Sequence, residues 1–227
     1  MTMGEIKGRT FDLLTLGQVL LRLSPPDNDR LSRGDTFVKQ VGGAELNVAV
    51  GASLLGLHTG VISKLPSHDI GSFMKGKIRS YGVSDDFFMY DDSPSARVGI
   101  YYYENGAYPR KPKVIYDRAN SSFYSLKIDE IPEKAYTASR CFHTSGITLA
   151  LSPKVRETTI EMIKRFKAAG TLVSFDVNFR GNLWTGEEAK ECIEQILPYV
   201  DIFFCSEDTA RLTFKKTGTA REMMKSF

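Results

Sequence analysis

The sequence predicts an α/β fold, with a mostly parallel central sheet flanked by helices and a small β-sheet lid. Three observations predict it. Strand-like and helix-like patterns alternate over residues 11–82 and again over 140–214, the order that builds a parallel sheet covered by helices. Between these stretches, residues 97–117 are aromatic and alternate with period two, the pattern of strands with one face away from the core. A glycine pair, Gly42-Gly43, stands directly before a helical pattern. Such a pair lets a backbone approach a ligand closely, and it equally serves an ordinary strand-to-helix turn.

The elements follow in order. Residues 11–17 read as a buried first strand ending at Gly17. Residues 19–24 continue extended, and Pro25-Pro26-Asp27-Asn28-Asp29 is loop chemistry. Residues 31–41 are polar and hold one or two exposed strands. Leu46, Ala49, Val50, Ser53, Leu54 and Leu57 form a helical stripe over 44–57, with Gly56 near its end. Residues 59–65 are a second strand. Ile70, Phe73, Met74, Ile78 and Tyr81 form another helix, stopped by Gly82.

In residues 97–104, Val98, Ile100 and Tyr102 share one side, and Gly99, Tyr101 and Tyr103 the other. Asn105-Gly106 signals a hairpin turn, and 113–117 is the returning strand. These form an antiparallel flap outside the main sheet, joined by the segment before Val41. The α/β order resumes with a strand at 140–143, a helix from Pro153 to Gly170 and a strand at 171–177. A helix at 187–197, a strand at 201–205 and helices at 207–214 and 220–227 follow. The predicted domain is 11–214, with lid strands inserted at about 18–41 and 97–118.

Composition bounds the function. The hydrophobic fraction is 42% and the charged fraction 25% in 227 residues, ordinary values for a globular chain. A net charge of +3, with its cations dispersed, gives no reason to expect nucleic acid. No apolar run nears the ~18 residues of a membrane span, and residues 1–10 are polar, without a secretory signal. The expectation is a cytoplasmic protein. Cys141, Cys192 and Cys205 are odd in number and outside any C-x-x-C pair, so they are expected as buried free thiols. His58, His68 and His143 lack metal-ligand spacing, so no metal site is expected in the chain. A dinucleotide dehydrogenase needs Gly-x-Gly-x-x-Gly after its first strand, whereas Gly17 is followed by Gln18-Val19-Leu20.

Ligands of open α/β sheets bind beyond the carboxyl ends of the strands. Three polar clusters fall at such ends: Gly42 to Asn47, Thr144-Ser145-Gly146, and Asp176-Val177-Asn178-Phe179-Arg180. Arginine offers a fork for a carboxylate or phosphate, although an Asp and an Asn also shape turns. Tyr101, Tyr103 and Tyr116, with Arg97, Arg110 and Arg118 around them, suit an anionic polyol, although strand aromatics also serve packing.

These residues resemble a known family. Val41-Gly42-Gly43-Ala44-Glu45-Leu46-Asn47-Val48-Ala49 is similar to the first glycine signature of the ribokinase-like, or PfkB, carbohydrate kinases. The Asp176-x-Asn178-x-Arg180 cluster followed by Leu183-Trp184 is also similar. Within the family the chain most resembles the 2-keto-3-deoxygluconate kinases. Four segments carry this: Gly42 to Asn47, Gly99-Ile100-Tyr101, Val114-Ile115-Tyr116-Asp117-Arg118-Ala119-Asn120-Ser121-Ser122 and His143-Thr144-Ser145-Gly146-Ile147-Thr148-Leu149-Ala150.

The resemblance implies a ribokinase-like fold and transfer of the ATP γ-phosphate, with Mg2+, to the 6-hydroxyl of 2-keto-3-deoxygluconate. It implies that Tyr116, Arg118 and Arg180 contact the keto acid and that Gly43, Asn47 and Tyr101 line the same pocket. It places Asp176, Asn178, Ser206 and Glu207 near the nucleotide phosphates, and it implies a homodimer formed through the lid. Two departures accompany it. Gln18 stands where members commonly carry Glu, and Ser206 stands for an Asn. The family's Gly-Ala-Gly-Asp motif, with its anion hole and catalytic base, has no match in the 227 residues. The base is therefore expected beyond Phe227, and no catalytic residue is expected in this chain. The alternatives are a non-catalytic sugar-acid-binding or dimerising module, and a kinase for another sugar such as fructose.

Overall fold

A computed structural model describes residues 8–227. The expectation for residues 1–10 therefore lies largely outside the described residues. Six parallel strands form the central sheet: β1 (Phe11–Leu16), β4 (Thr59–Pro66), β5 (Val83–Asp91), β8 (Ser139–Ser145), β9 (Leu172–Asp176) and β10 (Ile202–Phe204). Their order is β10-β9-β8-β1-β4-β5. Strand β4 is wholly buried and β1 largely so, both with mostly apolar side chains, as the centre of a sheet covered on both faces requires.

The helices are α1 (Ala44–Leu54), α2 (Asp69–Ser80), α3 (Lys134–Ala138), α4 (Gly146–Ala150), α5 (Pro153–Ala168), α6 (Gly186–Ile196), α7 (Glu207–Phe214) and α8 (Ala220–Lys225). Short polar side chains set their starts. Ser152 accepts from Val155 N–H ahead of Pro153, and Thr185 with Glu188 closes a capping box on α6. Leu46 and Ala49 of α1 and Met74 and Ile78 of α2 pack with Val61 and Leu65 in one apolar cluster. The larger cluster joins Leu14, Phe142, Val173 and Phe175 of the sheet to Met162, Ile163 and Phe166 of α5. The Phe142 and Phe166 rings stack at 4.0 Å. Truncating Phe166, which is fully buried, would cost about 3–5 kcal/mol.

The lid is a second sheet of β2 (Leu20–Ser24), β3 (Val38–Gly42), β6 (Gly99–Glu104) and β7 (Lys113–Asp117), in the order β3-β2-β6-β7. It departs from the expected antiparallel flap because β2 and β6 run parallel; the other two pairs are antiparallel. The hairpin between β6 and β7 is present, but its loop spans 105–112 and is not a two-residue turn at Asn105-Gly106. Strand β5 lies where the sequence pattern suggested no element; its Ser84-Asp85-Asp86 segment is tolerated because β5 is an edge strand. The expected stripe of α1 also ends early: Leu54 and Leu57 are 77% and 45% exposed. Of the three free cysteines only Cys192 is fully buried, while Cys141 and Cys205 are partly exposed.

Candidate active site

Three pieces of the main sheet end beneath the lid. They are the turn after β1, the β8–α4 corner and the loop after β9. With the first turns of α1 and the inner face of β2, β6 and β7 they enclose a cavity of about 590 Å³. Gly43, Asn47, Tyr101, Tyr116, Arg118 and Arg180 all line it. Asn178 lines it too, together with Gln18, Arg22, Glu45, Tyr103, Ile147, Asn182 and Leu183.

The floor is set by the glycine pair. Gly43 is the N-cap of α1, with φ +150°. A Cβ built there would lie 2.7 Å from the Gln18 carbonyl, so the two backbones touch only because the side chain is absent. The Gly43 carbonyl accepts from Asn47 N–H at 2.9 Å, closing the turn that brings Asn47 to the cavity. The Gly42 turn follows lid strand β3, in the 18–41 stretch expected to supply lid strands, and leads from the lid into α1.

Glu45 was not selected from sequence. Its side chain is buried, and its Oε1 accepts from Ser145 Oγ at 2.5 Å and Thr148 Oγ1 at 2.8 Å. Burial raises its pKa against the opposing hydrogen bonds and the Arg118 charge. These bonds tie α1 to the β8–α4 corner, which gives the Thr144-Ser145-Gly146 cluster a structural use.

The lid strands and the segment that follows them contribute aromatic faces and cations. Tyr101 and Tyr116 are register partners on β6 and β7, with ring centroids 5.9 Å apart. Burial raises the pKa of the Tyr101 hydroxyl, and a tyrosine hydroxyl is a hydrogen-bond donor at neutral pH. The Arg22 guanidinium lies 4.2 Å from the Tyr103 ring centroid. Arg118 stands 5.6 Å from the Tyr116 centroid and donates Nε–H to Gln18 Oε1 at 2.8 Å. Burial lowers its pKa, and the Arg180 charge adds to that direction. Arg97 and Arg110, expected beside the tyrosines, are engaged elsewhere. Arg97 pairs with Asp117 at 2.8 Å and Arg110 with Glu104 at 3.3 Å, and neither lines the cavity.

After β9, Asp176 Oδ1 accepts from Asn178 N–H at 3.0 Å. Asn178 takes φ +35°, which Asn tolerates better than most residues. This turn presents Asn178 and Arg180 to the cavity, while Asp176 shapes the turn and does not line it. Ser206 and Glu207 lie apart from the main cavity. Ser206 caps α7 by accepting from Thr209 N–H, and Glu207 is 3.7 Å from Arg211. Glu207 lines a smaller hollow of about 260 Å³ with Cys205, Phe203 and Met223. Among the described residues no group of three or more His, Cys, Asp or Glu side chains is placed to hold a metal ion. Likewise no helix is long and apolar enough to cross a membrane.

Known proteins share the sequence family and the fold. The profile of the pfkB family carbohydrate kinases matches residues 10–226. The 2-dehydro-3-deoxygalactonokinase of Haloferax volcanii is 38% identical over 211 residues, covering 93% of this chain and 65% of that protein. The crystal structure of a 2-dehydro-3-deoxygluconokinase from Thermotoga maritima superposes with a TM-score of 0.86 at 35% identity, over 91% of this chain and 63% of that one. A sugar kinase from Pyrococcus horikoshii in complex with ATP superposes with a TM-score of 0.77 at 25% identity, over 89% of this chain and 66% of that one. The chain thus spans just under two thirds of the length of these three proteins. A family profile matched along nearly the whole chain, on a ribokinase-like fold with a lidded cavity at the strand ends, leads to one conclusion: the chain belongs to the pfkB family of carbohydrate kinases.

Proposed function

We propose that this chain forms the acceptor-sugar side of an ATP-dependent kinase that phosphorylates the 6-hydroxyl of 2-keto-3-deoxygluconate. The observation that carries the reading is the pair Arg118 and Arg180 in one cavity with Asn47 and Tyr101. Among the described residues neither arginine has a carboxylate within ion-pair distance. Guanidinium groups left without a carboxylate suit a carboxylate on the ligand, by charge-assisted and bidentate bonds. A neutral sugar would leave that charge unused. The relatives named for dehydro-deoxy sugar acids support the same class of substrate.

In this reading Tyr116 and Arg118 hold the acid end, Arg180 approaches from the β9 turn, and Gly43, Asn47 and Tyr101 fix the carbon chain and its hydroxyls. The lid excludes water. Phosphoryl transfer is mainly positioning and electrostatic stabilisation of the moving phosphoryl group. This chain's share is to orient the acceptor. Mg2+ would arrive with the ATP phosphates, which hold it together with water more than a protein cage does. In this reading Asn178, which lines the cavity, would face the phosphates. Ser206 and Glu207 would lie further along, and the base would be supplied by residues outside these 227. The site would work in the cytoplasm, as part of a homodimer joined through the lid.

A second reading, 2-keto-3-deoxygalactonate as substrate, is favoured by the 38% identical relative. The two acids differ in one hydroxyl configuration and share the carboxylate. The test is calorimetric titration of this chain with both acids and with fructose, beside an ADP-release screen on a C-terminally extended chain. Tighter binding of either acid than of fructose supports the site, and ADP release decides the substrate. Equal or tighter binding of fructose would overturn the sugar-acid reading.

A further inference from the structure

Gln18 is 3% exposed and joins three parts of the site. Its Nε2 donates to Ser121 Oγ at 2.6 Å and to the Arg118 carbonyl at 3.2 Å, while its Oε1 accepts from Arg118 Nε at 2.8 Å. The amide has one workable orientation. Turned over, it would set its NH2 against the guanidinium N–H and its oxygen against a carbonyl oxygen. Gly99 makes the room, since a Cβ there would lie 2.9 Å from Gln18 Nε2. The network thus takes one of the five N–H donors of Arg118 and fixes its direction. Among the described residues no hydrogen bond occupies its two terminal nitrogens.

The charge balance follows from the same residue. The charged side chains lining the cavity are Arg22, Arg118, Arg180 and Glu45, three cations and one carboxyl. An acid at position 18 would touch the guanidinium through the same oxygen and set a full negative charge against it. An amide keeps the hold and leaves the charge.

We propose that Gln18 is the specificity-determining positioning residue of the cavity: it holds Arg118 by Nε without neutralising it, so that the site selects a carboxylate-bearing sugar over its neutral counterpart. This rests on the reading that a sugar acid binds here. Gln18 acts through Arg118 and does not itself take the carboxylate.

The experiment is calorimetric binding of 2-keto-3-deoxygluconate and of 3-deoxyfructose, in which a hydroxymethyl group replaces the carboxylate. Wild type, Gln18→Glu, Gln18→Met and Arg118→Ala are compared at neutral pH, each checked for folding by its melting curve. The quantity read is the ratio of the two affinities, which a general loosening of the cavity would not change. The expected result is a ratio lowered at least threefold by Gln18→Met, through loss of the hold, and at least tenfold by Gln18→Glu. If Gln18→Glu does not fold, Gln18→Met decides: equal loss for both ligands overturns the proposal. A ratio lowered no further by Gln18→Glu than by Gln18→Met overturns the charge argument. If Arg118→Ala loses the preference and neither Gln18 variant does, the sugar-acid reading stands and this inference alone falls. A wild type without preference for the acid removes both.

Discussion

Replacing Glu45 by Gln should make the protein more stable at neutral and alkaline pH. The Glu45 carboxyl is fully buried, and burial raises its pKa above the ordinary value of 4.5. The folded state therefore favours the protonated form. Its contribution to stability is fully present below the unfolded pKa and is lost as pH rises through the folded pKa. The amide keeps an Oε1 that accepts from Ser145 and Thr148, as the carboxyl does at 2.5 and 2.8 Å, and it has no proton to lose. The stability difference, variant minus wild type, should grow with pH at up to about 1.4 kcal/mol per unit within that window and level off above it. For a domain of this size about 1 kcal/mol moves Tm by roughly 2–4 °C, so the melting temperatures should separate by up to roughly 3–6 °C per unit. Thermal melts of both proteins between about pH 4 and pH 8.5 measure this window. Parallel curves, or a wild type that gains on the variant as pH rises, would refute the reasoning, because either outcome means that burial does not govern this carboxyl.

Three further outcomes are expected. Arg118→Ala and Arg180→Ala should each weaken binding of the keto acid at least tenfold, about 1.4 kcal/mol; calorimetry that finds both unchanged removes the arginines from carboxylate recognition. Gly43→Ala should lower stability by about 1–3 kcal/mol, since its φ is +150° and the Gln18 carbonyl occupies the space a Cβ needs. Gly51→Ala, in the middle of α1 with nothing within 4 Å of a Cβ, should raise stability by about 0.5–1 kcal/mol, and urea melts in which both variants shift the same way would contradict the contrast. Phe37, Val38 and Ile115 are each between 45% and 47% exposed on or beside lid strands, so light scattering should give a mass near twice the 25.4 kDa of one chain, reduced by Ile115→Glu.

Elements whose signals are local were legible in the sequence. Helix α7 begins at Glu207 and ends at Phe214 as read, because Ser206 caps it and the apolar spacing is regular. The turn after β9 was legible as a polar cluster because Asp176, Asn178 and Arg180 lie within five residues. What escaped depends on partners far along the chain. Strand β5 has acidic residues that read as loop, and only its position at the sheet edge makes them acceptable. The parallel pairing of β2 with β6 joins Leu20 to Gly99, and period-two alternation is the same for either direction of pairing. Glu45 sits in the first turn of a helix, where an acid normally complements the helix dipole in solvent. Its hydrogen-bond partners Ser145 and Thr148 lie about a hundred residues away, and no local pattern carries that.

The origin of each charge bears on how the cavity would treat a ligand. Arg22 comes from a lid strand, Arg118 from the segment that follows the lid, and Arg180 from the turn beyond β9. No single element supplies a complete binding group. Burial is the main cause that disfavours the charged form of Arg118; the Arg180 charge adds to it, while the Glu45 charge opposes it, so a repulsion acts between the lid-side and sheet-side cations except where Glu45 offsets it. A carboxylate between the two would reverse its sign, attracting both guanidinium groups and drawing the surfaces together. Glu45 offsets the arginines only when ionised, which burial opposes, and its Oε1 is already held by Ser145 and Thr148. Gln18 does not offset them, because an amide brings no charge. An amide at Gln18 and a protonated Glu45 thus leave the arginine charges in place, one by chemistry and one by burial. An anionic ligand can therefore gain both charge-assisted hydrogen bonds and relief of an existing repulsion, whereas a neutral sugar can gain only ordinary hydrogen bonds and ring contacts.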